Sequence, residues 1–371
     1  EAESLKNIGL VYFDRGEYYR ALNNYQASLR LRLQLHDTSG QAATLNNIGV
    51  IYLNLGRYNE AISCYYTCLN TAKQGNDKKW QAHALNNLAL AYREKGEYQQ
   101  AIAFGKQALQ LREELGDKKM LAATVNNLGL IYENLCEYPL AKKSYQRVLK
   151  LARHIGYREG EHSAQINLGE ICQILGQDTL ATTYYQNALL LAKEMNDPTG
   201  ESVCEENLGR LYYRQHKLEP AAIHLQKALE LARQLKSRER LIQTQAPLSV
   251  VYAAQDKFKP AIQLIRHARE IAQRLQSDMY LSEIAFSLGN IYLYKHQYQL
   301  ALSHLEQARM LAEKLNNQRE LGWIQISLAQ IYFQTDRLVQ GKISIKKASD
   351  IAHRIGDKPL VKEIKRITRK K

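Results

Sequence analysis

The chain of 371 residues carries 51 Lys and Arg against 37 Asp and Glu, a formal charge of +14, and no apolar run long enough to cross a bilayer. That basic excess favours an acidic partner, whether an acidic peptide, nucleic acid or an anionic membrane surface, although the solvated outer faces of helical repeats are charged in any case. The five cysteines, Cys64, Cys68, Cys136, Cys172 and Cys204, form no CxxC pair, which argues against zinc and fits a reducing, cytoplasmic setting.

From its first residues the sequence repeats every forty positions. Residues 45–65 read LNNIGVIYLNLGRYNEAISCY, 85–105 read LNNLALAYREKGEYQQAIAFG, and 125–145 read VNNLGLIYENLCEYPLAKKSY. Tyr12, Tyr52, Tyr92, Tyr132, Tyr212, Tyr252, Tyr292 and Tyr332 share one column, with Cys172 as the substitute. Three places earlier runs a small-residue column: Gly9, Gly49, Ala89, Gly129, Gly169, Gly209, Ser249, Gly289 and Ala329. A fixed period in this range is the mark of a solenoid, whose units bury their apolar faces only against neighbours.

Repeat 1 opens part-way into a first helix, Leu5–Phe13, so the chain is expected to be a piece of a longer one. Within a repeat the apolar spacing is helical, as in Val125, Leu128, Leu130, Ile131 and Leu135. Gly56, Gly96 and Gly176, with Cys136 in the same slot, end the first helix, and an aromatic or Leu such as Tyr58 or Tyr138 opens the second. Repeat four is predicted as helix A over Lys118–Leu135 and helix B over Tyr138–Ile155, with Tyr132 covering the seam where the small column brings backbones close. Asp37, Asp77, Asp117, Asp197 and Asp357 suit the N-cap of each following helix A. Pro139, Pro220 and Pro260 start B helices, and Pro198 and Pro359 start A helices, where a missing N–H costs nothing. Pro247 lies inside a helix A, as a tolerated kink or as a hinge between repeats 1–6 and 7–9. After repeat nine, residues 357–371 read as a further helix with Lys362, Lys365, Arg366, Arg369, Lys370 and Lys371 against Glu363. It is a basic capping helix, the first half of a truncated tenth repeat, or a tail for anions.

Val125-x-x-Leu128-Gly129-x-x-Tyr132 followed by Ala141-x-x-x-Tyr145 resembles the tetratricopeptide signature, W-x2-L-G-x2-Y and A-x3-F. The Trp slot departs from it, and the terminal Pro slot never holds Pro, so helix B runs on and the repeat lengthens from 34 to 40 residues. Repeats of this length resemble those of kinesin light chains, spindle-orientation adaptors of the Pins/LGN type and bacterial signalling proteins. The resemblance implies an all-α, right-handed α-solenoid of nine repeats over residues 1–356.

It also implies a concave groove faced by the column Asn7, Asn47, Asn87, Asn127, Asn167 and Asn207. Asparagine inside a helix costs roughly 0.6 kcal/mol relative to Ala, so six of them need an offset. A carboxamide has a donor and an acceptor, and can grip the main chain of an extended peptide or bond the adjacent A helix and hold the repeats in register. Helical spacing places Asn54 with Asn47, His83 and Leu90 with Asn87, Leu130 and Asn134 with Asn127, and Arg210 and Arg214 with Asn207. The two arginines are the expected anchors for an acidic group. Beyond Asn207 the column holds Pro247, Ser287 and Ser327, beside Glu283, Asn290, Tyr294, Trp323 and Gln330, which form a second surface or packed core. No phosphate loop, HExxH or nucleophile elbow is present, so neither catalysis nor a cofactor is expected. The expected function is a scaffold that holds a linear peptide or partner protein. The alternative is a sensor module of a larger bacterial signalling protein, and nucleic-acid binding is disfavoured because basic residues spread over many columns.

Overall fold

The computed structural model describes residues 1–369; Lys370 and Lys371 of the basic tail lie outside the described residues. Those residues form nineteen helices and no strand. The chain divides into two compact units, 1–164 and 165–371, with the division inside α9 (Arg158–Ile174). Unit 1 holds four helix pairs: α1 (Ala2–Asp14) with α2 (Tyr18–Gln34), α3 (Thr38–Asn54) with α4 (Tyr58–Gln74), α5 (Lys78–Glu94) with α6 (Tyr98–Leu115), and α7 (Lys118–Asn134) with α8 (Tyr138–Ile155). Unit 2 continues with α10 (Asp178–Glu194), α11 (Pro198–Arg214), α12 (Leu218–Gln234), α13 (Arg238–Ala254) and α14 (Phe258–Leu275). It ends with α15 (Asp278–Tyr294), α16 (Tyr298–Lys314), α17 (Gln318–Gln334), α18 (Leu338–Ile355) and α19 (Lys358–Thr368). In each unit a helix packs on its pair and then on the first helix of the next pair, the stacking of an α-solenoid. The last helix, α19, docks on α17 and α18 as the A helix of a further repeat would.

The beat of the fold is finer than forty residues. A left-handed residue recurs every twenty positions from Gly16 to Gly356, ending each helix from α1 to α18. Seven are glycine, and eleven are not, among them Cys136, His216, Lys236 and Asp256. A Cβ in that conformation costs roughly 1–2 kcal/mol, which asparagine and aspartate bear best. The next helix A then starts from a side-chain cap. Asp37 accepts from Gly40 N at 2.9 Å, Asp77 from Trp80 N at 3.1 Å, Asp117 from Met120 N at 3.1 Å and Asp357 from Leu360 N at 2.9 Å. Asp197 caps through Thr199 N, and Ser237, Ser277 and Asn317 hold the same register in later repeats.

The small column is a socket for helix B. A Cβ on Gly49 would stand 2.5 Å from Tyr65 Cε1, and Gly9, Gly129 and Gly169 meet Tyr25, Tyr145 and Tyr185 in the same way. These four rings are at most 2% exposed. Tyr132, expected to cover the seam, is only half-buried; Tyr145 of helix B fills the gap instead. In repeat three the pair is inverted. Ala89 faces Gly105, and Leu128 of the next helix A occupies the space a Cβ on Gly105 would need. Gly209 and Gly289 take Leu225 and Leu305. Cys68 is fully buried, its thiol bonded to Ala42 O at 3.1 Å, a packing role.

The turn geometry yields a prediction at Lys236, an exposed residue at φ 51°. Lys236→Gly should raise the free energy of unfolding of the transition that reports unit 2 by about 1 kcal/mol, read from urea denaturation.

Candidate binding site

In unit 1 two members of the asparagine column, Asn87 and Asn127, are engaged by the preceding A helix. Asn87 Nδ2 donates to Asn46 Oδ1 at 2.7 Å, and Asn127 Nδ2 donates to Asn86 Oδ1 at 3.0 Å. Asn86 Nδ2 reaches Asn87 Oδ1 at 3.3 Å, so one relay of carboxamides crosses α3, α5 and α7. The acceptors are the first asparagines of each LNN, which the sequence reading passed over although the doubled Asn was its visible signal. For Asn87 and Asn127 the register role is therefore realised. Each amide nitrogen still has a second proton, and both side chains are half-buried rather than sealed.

The other positions of this face differ in exposure. Asn54 and Asn134 are exposed, with Asn54 Nδ2 bonded to Val50 O of its own helix at 2.8 Å. Asn47, Leu90 and Leu130 are half-buried. His83 lies against Trp80, ring centroids 5.0 Å apart, and its pKa is pushed down to about 4 by burial first and then by Arg112 and Lys79. It is a neutral contact at pH 7. Of the remaining predicted residues, Asn167, Asn207, Arg210 and Arg214 belong to unit 2, where both asparagines are half-buried.

The α11 face in unit 2 is closed by its own side chains. Arg210 bonds Glu206 at 2.8 Å and also Glu283 of α15, and its Nη2 donates to Gln243 O at 3.3 Å. Burial opposes its charge, but Glu283 and Glu206 together raise its pKa. Gln243 is four residues before Pro247, so its carbonyl is the one that Pro247 leaves without a helical N–H. Arg210 supplies the missing donor while α13 runs on through the proline. Arg240 joins the cluster at 2.8 Å from Glu206. Tyr213 and Tyr294 share a hydroxyl hydrogen bond of 2.9 Å, and Ser327 Oγ donates to Asn290 Oδ1 at 2.8 Å. Arg210, expected as an anion anchor, is thus committed internally, and so are Glu283, Tyr294 and Asn290. Arg214 has no ion-paired or hydrogen-bonded partner at Nη2, although that atom is shielded from solvent.

A model of the MalT-like TPR region matches residues 88–285, more than half of the chain, and a tetratricopeptide-repeat model matches residues 1–74 and 40–114. The chain belongs to the tetratricopeptide-repeat family. No curated protein matches the sequence. This repeat protein is similar in structure to the apo form of RapI, with 16% identity over 96% of this chain and 99% of that one, at a TM-score of 0.73. It is similar to the Rap conjugation gene regulator of plasmid pLS20 in complex with a Phr peptide, with 16% identity, 96% of each chain covered and a TM-score of 0.65. A third likeness is to a STAND signal transduction ATPase with a tetratricopeptide repeat sensor from Pyrococcus horikoshii, with 21% identity, 85% of this chain and 49% of that one, and a TM-score of 0.63. At these identities the likeness is one of fold.

Among the described residues of this repeat protein no helix is long and apolar enough to cross a membrane, and no group of three His, Cys, Asp or Glu could hold a metal ion. A depression of about 710 Å³ opens over α13 between α12 and α14, bordered by Leu229, Gln245, Leu248, Tyr252, Leu264 and His267. Its lining comes from the B helices α12 and α14 and from the A helix α13 between them.

Two outcomes follow for this face of each unit. Arg210→Gln should cost about 2 kcal/mol in urea unfolding, and Pro247→Ala should recover roughly 1 kcal/mol of that loss by restoring a donor to Gln243 O. His83 has a folded pKa below its unfolded value, so the unfolded state takes up the proton first. Stability should then fall as pH drops from about 6.5 to 4, by up to about 3 kcal/mol, and His83→Gln should flatten that part of the pH–stability curve.

Proposed function

We propose that the chain binds an extended peptide or a segment of a partner protein along the A-helix face of unit 1. The observation that carries the reading is the exposed, polar and half-apolar strip over the carboxamide relay: Asn54 and Asn134 exposed, Leu90 and Leu130 half-buried. The relay fixes the spacing of the A helices, and its remaining amide protons offer donors to a main chain that carries complementary carbonyls. Side-chain choice then falls to Leu90, Leu130 and the charges nearby. A few such hydrogen bonds at about 0.5–1.5 kcal/mol each, reduced by the cost of ordering the peptide, amount to micromolar affinity. The likeness to a Rap regulator in complex with a Phr peptide supports a peptide as the ligand class.

A second reading makes this chain the sensor portion of a larger signalling protein. The likeness to the STAND ATPase favours it, since that chain carries a tetratricopeptide repeat sensor and this one covers 49% of its length. In that case the same face receives the signal and the response lies elsewhere.

Peptides selected by the full chain from a randomised library provide the test. Asn134→Ala and Leu130→Ala should weaken a selected peptide about five- to tenfold in fluorescence polarisation, with the unfolding midpoint unchanged in the first and slightly lowered in the second. Asn127→Ala should weaken it and lower the midpoint, because it also breaks the bridge to Asn86. Unchanged affinity in the first two variants would remove the groove from the mechanism and leave the asparagines a purely structural role.

A further inference from the structure

Arg214 ends α11 and Arg319 lies in the first turn of α17, 105 positions later, yet within unit 2 the charge of Arg319 acts on Arg214. The unit turns back on itself here: a Cβ on Gly176, in the turn before α10, would touch Lys358 at the start of α19. Arg319 is braced through Nε by Asp357 at 2.8 Å, and Asp357 is fully buried because it also caps α19. The Nη2 atoms of both arginines are shielded from solvent and have no hydrogen-bond partner. Arg214 has no carboxylate within ion-pairing distance among the described residues; Asp178, at the start of α10, is its other acidic neighbour, and Tyr185 stands beside it. Two guanidinium groups thus act on one another with one paired carboxylate, Asp357, and with Asp178, unpaired among the described residues, about them. Two cations so placed repel, and shielded donors left unpaired are costly, unless a third group satisfies both.

We propose that Arg214 and Arg319 form a binding site for a single carboxylate, offered by an acidic side chain or a free C terminus of a peptide that reaches unit 2. The charge count selects the ligand. With Asp357 paired to Arg319 and Asp178 also acting on Arg214, the net positive charge is at most one, which suits a monoanionic carboxylate and not a dianionic phosphate. The fork geometry of guanidinium groups matches a carboxylate in two-point contact. Burial and the Arg319 charge already hold the Arg214 pKa down to about 10, which an added anion would reverse. That the carboxylate belongs to a peptide rests on the function proposed above; the anion site itself does not.

The test uses the full chain labelled with 15N-arginine, with the Arg214 and Arg319 side-chain signals assigned by Arg→Lys variants. Acetate is titrated against chloride at constant ionic strength, then inorganic phosphate. Acetate should shift both signals saturably, phosphate should bind at least threefold more weakly, and Arg319→Lys and Arg214→Lys should each weaken acetate about tenfold, since charge without the fork is insufficient. Two N-acetylated pentapeptides separate the sources: Ala-Ala-Glu-Ala-Ala amide, and Ala-Ala-Gln-Ala-Ala with a free C terminus. Shifts from either one assign the donor of the carboxylate. Shifts from acetate with neither peptide binding would uphold the anion site and count against the peptide reading. Signals unmoved by acetate, or phosphate binding more tightly than acetate, would overturn the proposal.

Discussion

A bare α-carbon on one helix pressed against a ring or a leucyl group on its partner fixes the spacing of this array. Because Gly49 leaves room for Tyr65, and Gly209 for Leu225, the two helices of a pair approach closely enough to bury both. The contact also explains the strictness of the period. One inserted residue rotates a helix by about 100°, which would turn the glycine away from its ring and present a Cβ instead. The inversion in repeat three supports this view: Ala89 is tolerated because Gly105 moves the gap to the other helix, and Leu128 fills it. What is held constant is the void, not the residue that makes it.

Once the pairs are spaced, the asparagine relay becomes possible, since a short carboxamide can bridge A helices only at a fixed separation. Asn87 and Asn127 recover their helix-propensity cost through those bridges. Pro247 falls in the same column and removes both a carboxamide and an N–H. Arg210 answers the backbone part of the deficit by reaching the stranded Gln243 carbonyl, and Glu206 and Glu283 hold the guanidinium in place. A residue that looked like a ligand anchor is thereby the repair of a break in the helix.

What the sequence disclosed, and what it withheld, divides along one line. Relations at multiples of forty were legible: the helix pairs, the turn column, the Asp caps and the asparagine column all recur in register. Ser237, Ser277 and Asn317 escaped notice as caps only because the register was searched for aspartate. Tyr145 was overlooked in favour of Tyr132 because both columns recur, and periodicity does not say which ring faces the glycine. Contacts that cross the inner side of unit 2 follow no period. Arg210 with Glu283 and Tyr213 with Tyr294 depend on how sharply successive pairs turn, which columns of residues do not encode.

That distinction gives the charge distribution of unit 2 its meaning. Around Glu206 the charged groups are balanced, two arginines against two glutamates, each guanidinium hydrogen-bonded more than once. A few turns of helix away, Arg214 and Arg319 have one paired carboxylate between them and two shielded nitrogens without partners. The same fold therefore satisfies its guanidinium nitrogens completely in one place and leaves two of them shielded but unpaired in another. Packing alone does not require an arginine at 214, because its column is otherwise filled by neutral residues such as Asn54, Asn134, Ile174 and Gln334 or by the acidic Asp14 and Glu94. An arginine kept where a neutral side chain would fit, opposite a second one oriented by a buried aspartate, is the arrangement expected when the missing counter-charge arrives with a ligand.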